Sequence, residues 1–463
     1  MKLHPMPKNS SSNVLNIRKR HTPDRSGPGH FMRNLVIFCA LALVGLVVFV
    51  LLRDGSAPVL KLTPQTGAAS YTTNFNLNLS SSRAGLKEIV ITATQDGKRV
   101  EVLRRNFPDK QLAHTEAFRL PRDAKFKEGP LELAITVRDN ALLSFLGRGK
   151  TSLVQNLTLD FTPPRLSVNP GIHNVNQGGG GVVSYTVSKQ VERTGVMVGE
   201  RFFPAFQQKG GEFLCYFAMP YDMPPASFKP KVMAQDKAGN EATQSINVLA
   251  IPKVFKSDKL NIPDEFLNEK MSQYTAMYPE LKTPLDIYKR VNTELRKQNE
   301  ADLLKIGQDT SPTPLWSGPF LRLPAAAGRA GFGDQRDYYY NGEKIDHQTH
   351  MGVDLASVAN APVPAANAGR IVYAGFFGIY GNCVIIDHGL GLQSLYSHLS
   401  QIDVAKGTMV KKGQIIAKTG ATGLAGGDHL HFGMIISGLQ VSPVEWWDEH
   451  WIHDNIEKHV AAQ

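Results

Sequence analysis

Asp428-His429-Leu430-His431-Phe432-Gly433-Met434-Ile435-Ile436 is the stretch on which the reading of this chain turns. Its apolar members, Leu430, Phe432, Met434, Ile435 and Ile436, favour a strand. In a strand, residues two apart share a face, so His429 and His431 point the same way while Leu430 turns into the core. A single H-x-H is a weak signal, and its meaning depends on what else converges on it. Upstream stand His350-Met351-Gly352-Val353-Asp354 and, between the two, Tyr396-Ser397-His398-Leu399. His350 and Asp354 are four apart, on one side of an extended chain, and Gly352 between them allows close backbone approach. The two pairs lie 75 or more residues apart, so tertiary structure must unite them. The five candidate residues are therefore His350, Asp354, His398, His429 and His431.

Nitrogen and oxygen donors in this number suit a metal-dependent hydrolytic site. Such a site needs three protein ligands and one open position, with a base or an oxyanion stabiliser close by. The flanking sequence sharpens this. "FGDQRD" near Phe332, "HMGVDLA", "APVPAANAGRIVYAG", "YGNCVIIDHGLGLQSLYSHL", "VKKGQIIAKTG" and "GDHLHFGM", followed by Pro443 and Trp446, resemble the lysostaphin-type (LytM-like) zinc metalloendopeptidases. The resemblance covers roughly residues 315–447. It implies an antiparallel β-rich domain in which His350, Asp354 and His431 hold one zinc ion. His398 and His429 become the catalytic pair; one takes a proton from zinc-activated water and the other stabilises the oxyanion, with the division of roles left open. Asp428 stands where relatives often carry proline or another small residue, which removes no ligand. The implied activity is hydrolysis of peptide cross-links in bacterial peptidoglycan, with its stem peptides as the partner. The rival readings are a non-hydrolytic regulator of wall amidases and a wall-binding scaffold; presence of all five positions favours the enzyme.

Other histidines read as bystanders: His347 as a loop residue, His388 as structural at a strand end, and His450, His453 and His459 as solvated in a polar tail over 448–463. "GTMVKKGQIIAKTG" resembles the turn of a biotin-bearing domain but lacks its Met-Lys-Met context, so a plain hairpin is expected.

Far from this region, Leu35 to Leu52 runs without a charge. At ~1.5 Å per residue it reaches about 27 Å, near the hydrocarbon thickness of a bilayer. The net charge of the chain is +10. Residues 1–33 hold seven bases (Lys2, Lys8, Arg18, Lys19, Arg20, Arg25, Arg33) and one acid, Asp24, leaving only +4 for the rest. This places the excess charge in a tail before an apolar run, the pattern that keeps a tail in the cytoplasm, and argues against a nucleic-acid partner. The expectation is a basic cytoplasmic tail (1–33), a retained single-pass anchor (34–52) in the inner, cytoplasmic membrane, and a catalytic domain that is periplasmic or extracellular. Wall-synthesis or division proteins are partner candidates. Three cysteines, Cys39, Cys215 and Cys383, exclude a disulfide scaffold, and the last two read as buried thiols.

The middle of the chain reads as strands and turns. Ile89, Ile91 and Ala93 share a face before an Asp96-Gly97 hairpin signal, and Leu131, Leu133, Ile135 and Val137 alternate. Phe161-Thr162-Pro163-Pro164 reads as a linker. Further strands are expected at Val182–Val187, Gly195–Val198, Lys231–Gln235 and Ser245–Leu249, with Gly178–Gly181 as a flexible hairpin connection. These spans, 58–162 and 163–252, suit two β-sandwich modules, loosely resembling bacterial immunoglobulin-like modules. Residues 254–309 change period. Thr283-Pro284-Leu285-Asp286 places a cap, a first-turn proline and an acid, and Leu285, Tyr288, Val291 and Leu295 mark an apolar stripe, so a helical connector is expected. The fold class is mainly β, with an N-terminal transmembrane helix and this short helical segment.

Overall fold

The protein is described here by a computed structural model covering residues 28–65, 67–141 and 149–461; most of the expected basic tail, residues 1–27, lies outside the described residues. A helix spans Pro28–Asp54. Phe31, Ile37, Phe38, Leu41, Leu43 and Phe49 around it are all exposed. A helix apolar on every side with no protein core to cover it suits lipid, and Gly29–Val50 is long and apolar enough to cross a membrane.

Contacts divide the chain into two compact units, one built chiefly from Asn74–Phe118 and Glu132–Asn156, the other from Arg119–Leu131 and Leu157 onward. In the first, Phe75–Ser80 pairs antiparallel with Val59–Thr63 and Ala113–Phe118, and Leu86–Gln95 lies between Lys98–Gln111 and Gly129–Asp139. Asp96 and Gly97 both take positive φ, 51° and 77°, as a two-residue turn matched to strand twist requires. Ile89, Ile91, Ala93, Leu133, Ile135 and Val137 are all buried.

In the second unit, Gly180–Val187 pairs with Phe213–Ala218, and Arg193–Val198 with Lys231–Gln235. The single strand expected at Ser245–Leu249 is instead two. Glu241–Ser245 pairs with Lys231–Gln235, and Val248–Ile251 runs parallel to His173–Asn176. Ile246 is buried between them, where the chain changes sheets. The glycine tract is not a flexible connection either. Gly180 and Gly181 lie in the strand, and a Cβ on Gly180 would stand 2.5 Å from Ile436 Cδ1. Small residues are needed here because the strand Leu430–Ile436 packs directly on this backbone. The expected solvated polar tail is also ordered. Glu449–Ala461 is helical, Ile452 and Ile456 are buried, and His459 stacks on His173 with ring centroids 4.0 Å apart. Trp451 and Val460 pack beside them, so an apolar face in a polar context docks the helix.

The C-terminal part is an antiparallel sheet. In spatial order its strands are Ala327–Ala330, Val353–Ala356, Leu430–Ile436, Leu392–Leu399, Asn382–Asp387, Gly369–Phe376 and Met409–Val410. The connector supplies helices Asp264–Met271, Pro284–Arg290 and Arg296–Ile306; Thr283 caps the second by accepting from Asp286 N. A strand not expected from sequence, Ser257–Asn261, runs parallel to Gln335–Tyr340. The helices share one apolar cluster with the sheet, including Tyr274, Tyr288, Val291, Ile379 and Ile435.

Candidate functional site

All five candidate residues meet at the junction of three neighbouring strands. Asp354 and His431 are register partners, and Ser397 pairs with His431 from the other side. Simple alternation would send His398 to the face opposite Ser397. His398 instead has φ +62°, a left-handed conformation rare outside glycine, and its ring centroid lies 5.8 Å from that of His431. His429 precedes the strand; it forms only an isolated bridge with Gly420, and its ring lies 4.9 Å from that of His398. The bond from Asn360 N and that from Thr419 Oγ1 to the Asp428 carboxylate hold the turn before it.

Three donor atoms converge: His350 Nε2, Asp354 Oδ1 and His431 Nδ1, at mutual distances of 2.9, 2.9 and 3.0 Å. His350 Nδ1 lies 2.8 Å from the Gly331 carbonyl. A carbonyl only accepts, so Nδ1 carries the proton and Nε2 presents a lone pair. Lone pairs and a carboxylate oxygen this close stand only around a shared proton or cation. The spacing approaches the edge of about 3.3 Å that bonds of ~2.0–2.1 Å would give in a tetrahedron. A small divalent cation fits this donor set. Gly352 makes it sterically feasible, since a Cβ there would lie 2.5 Å from His431 Nε2.

The same device orients the other two rings. His398 Nδ1 donates to Thr422 O and His429 Nδ1 to Gly427 O, each at 2.8 Å. Their Nε2 atoms are left free of backbone; that of His429 is 3.5 Å from Asp354 Oδ1. Burial opposes the Asp354 charge, but hydrogen bonds from His350, His429 and His431 outweigh it and hold the carboxyl well below its usual range. Burial, reinforced by His429 and His431, keeps His398 well below an ordinary histidine. Burial likewise pushes His431 down to about 4. For His429 burial is outweighed by the Asp354 contact, and its pKa rises.

Two neighbours were not singled out by sequence reasoning. Arg336 Nη2 donates to Asp354 Oδ2 at 3.1 Å, occupying the carboxylate oxygen that does not face the cluster. It lies inside "FGDQRD", so the motif contained it without revealing its role. Tyr380 is buried beside His431 and donates to Gln440 Oε1 at 3.2 Å; nothing local in the sequence pointed to it. The bystanders stay apart. His388 is buried between Ala368 O and Ser394 Oγ. His347 is on the strand Glu343–Thr349, not in a loop, and bonds Asp337. Cys215 and Cys383 are free and buried.

The profile described as Peptidase family M23 matches residues 348–443. A "DD-carboxypeptidase/endopeptidase Mpg" of Neisseria meningitidis is 42% identical over 95 residues, 20% of this chain and 22% of that protein. A "Peptidoglycan DD-endopeptidase ShyB" of Vibrio cholerae is 34% identical over 116 residues, 25% of this chain and 26% of that protein. The match thus spans about a quarter of these relatives' own length. Among solved structures, the catalytic domain of the antimicrobial peptidase lysostaphin from Staphylococcus simulans aligns at 32% identity over 26% of this chain and 91% of its own, with a TM-score of 0.23.

Proposed function

Given that the C-terminal part of this chain carries a peptidase family M23 domain over residues 348–443, we propose that the protein is a membrane-anchored zinc metalloendopeptidase that hydrolyses peptide cross-links of bacterial peptidoglycan. The observation that carries this reading is the convergence of His350 Nε2, Asp354 Oδ1 and His431 Nδ1 within 3.0 Å, with two more imidazoles facing them. In this reading those three residues hold zinc, which when bound supplies a Lewis acid that polarises an amide carbonyl and acidifies water. His398 is kept neutral by burial and turns Nε2 inward, so it suits proton acceptance at that atom. His429, held near Asp354, suits a proton donor or a stabiliser of the developing oxyanion. Arg336 orients the Asp354 carboxylate. The names of the matched relatives support a wall-peptide substrate, and the apolar helix Pro28–Asp54 supports an anchor, while the basic residues that precede it support a domain outside the cytoplasm. The two strand-rich segments between them read as immunoglobulin-like spacers.

The test uses the full chain in detergent with defined cross-linked and uncross-linked wall peptides, with zinc and after chelation, and weighs the products. Zinc-dependent scission of an amide is expected. Scission unchanged by chelation would refute the zinc mechanism, and no products from any wall type would refute the enzyme reading in favour of a regulator.

A further inference from the structure

The space over the three-donor cluster is not walled by the sheet alone. Phe266, Tyr288, Asn292 and Arg296 come from the helical connector and face His350 and His431 across a cavity of about 160 Å³. Pockets that bury a drug-sized ligand run to roughly 300–1,000 Å³. This one takes the end of a chain or a small group, not a whole cross-link.

Arg296 is the charged member of the helical wall. Its Nε donates to Asn292 O at 3.2 Å and its Nη2 to Asn292 Oδ1 at 2.6 Å. Asn292 is itself buried, and its Nδ2 donates to Asp346 Oδ2 at 2.6 Å. That bond fixes the amide with its oxygen towards the guanidinium. A guanidinium has five N–H donors, and these contacts use two. Among the described residues Arg296 forms no ion pair. Asp354 is the one carboxylate in the cavity lining, and its oxygens are taken by Arg336 and the histidines. Arg296 is thus a half-buried, braced cation with no direct ion pair; Asp346 reaches it only through the Asn292 amide, Glu300 stands on the side of the second cavity, and a metal in the cluster would add positive charge beside it. A planar guanidinium in that condition matches a carboxylate better than any other common group. Arg296 and Met351 also line a second cavity, of about 840 Å³, so a longer ligand has room beyond the guanidinium.

We propose that Arg296 receives a free carboxylate of the substrate, placed within about one residue of the scissile amide. This deepens the zinc-peptidase reading and rests on it. Two sources share the chemistry: the C-terminal carboxylate of an uncross-linked stem peptide, and an acidic side chain beside the bond in a cross-linked one.

The experiment compares matched substrates on the full chain. One pair is a stem peptide as free acid and as C-terminal amide; the other is a cross-linked dimer with its side-chain carboxylate free or amidated. The wild type should prefer acid over amide in one pair by about 10–100-fold in kcat/KM, the range of a charge-assisted contact. The responding pair identifies the source. In Arg296→Gln that ratio should fall towards unity with zinc content unaltered, and Arg296→Lys should restore part of it. Calorimetric binding of the product peptides, acid against amide, reads the same preference without turnover. Wild type indifferent to amidation in both pairs and in binding would overturn the proposal. So would equal losses on acid and amide in Arg296→Gln, which mean a packing role, or a gain on both, which means the helices only cover the site. A wild type that cleaves nothing yet binds acid over amide would sink the peptidase reading and leave the carboxylate site standing.

Discussion

Replacing Arg336 by Gln should weaken zinc binding without removing any atom of the three-donor cluster. Arg336 Nη2 bonds Asp354 Oδ2 at 3.1 Å, and the two side chains are only 20% and 13% exposed. A hydrogen bond between charged groups contributes ~1.5–3 kcal/mol; partial exposure of both partners argues for the lower half of that range. At about 1.4 kcal/mol per decade this is roughly a 10–40-fold rise in the zinc Kd, within the 10–100-fold typical of residues that orient metal ligands. An opposing effect exists, because loss of a guanidinium also removes repulsion towards the metal. Positioning should win. Without Arg336, Oδ2 is left unpaired in a nearly closed site, and the carboxylate rotates to regain a partner, carrying Oδ1 away from His350 and His431. Arg336→Lys separates the two effects, since it keeps the charge but not the fork. The assay is competition with a zinc chelator at fixed pH and ionic strength, with a thermal melt to establish folding. Equal or tighter zinc binding in folded Arg336→Gln would refute the reasoning.

Three further outcomes are expected. His398→Gln and His429→Gln should retain zinc while losing ~10²–10⁴-fold in turnover; zinc loss in His429→Gln, measured by elemental analysis, would mean that its place relative to His431 is misassigned. Burial, with His459 beside it, pushes His173 down to about 4. Because its unfolded value is about 6.5, the unfolded chain binds protons more readily, so stability present above about 6.5 is lost as pH falls towards about 4; His173→Phe should flatten melts across that window, and an unaltered slope would remove His173 from the account. Gly180→Ala should cost ~1–3 kcal/mol by overpacking against Ile436 Cδ1, and an unchanged unfolding midpoint would show that this methyl swings aside.

What was legible in the sequence was whatever depends on short-range pattern. Asp354 and His431 could be found because each sits on a strand whose apolar neighbours declare its faces, and Gly352 because close approach at that point admits no side chain. The Asp96-Gly97 turn is local in the same sense. Alternation alone does not account for every element. His398, named as a candidate from its motif, reaches the cluster only through a left-handed φ, and Ile246 splits an expected strand in two. Long-range packing was the larger gap. Asn176 Nδ2 bonds Glu445 Oε1 across 269 residues, and the C-terminal helix docks on a strand still farther off, Ser184 Oγ donating to His459 O across 275, so a polar-looking tail and a glycine run both lost their local meaning.

The helical connector shows why such gaps gather at the site. Tyr288, Val291 and Leu295 form the buried stripe that the period announces, and the helices are indeed covered on that face. Periodicity says that a face is covered and not by what. Here the cover includes the loops that hold the catalytic candidates. Tyr274 donates to Gly378 O, Asn299 accepts from Ile379 N, and Lys270 donates to Ala421 O, next to the Thr422 carbonyl that orients His398. A segment that reads as a strut thereby becomes a wall of the cavity and brings Arg296 into it. The chemistry of the three donors belongs to the sheet and is written in short motifs. The choice of what reaches them is written in side chains of ordinary helical appearance, whose role is visible only once Asn292 and Asp346 have fixed where the guanidinium stands.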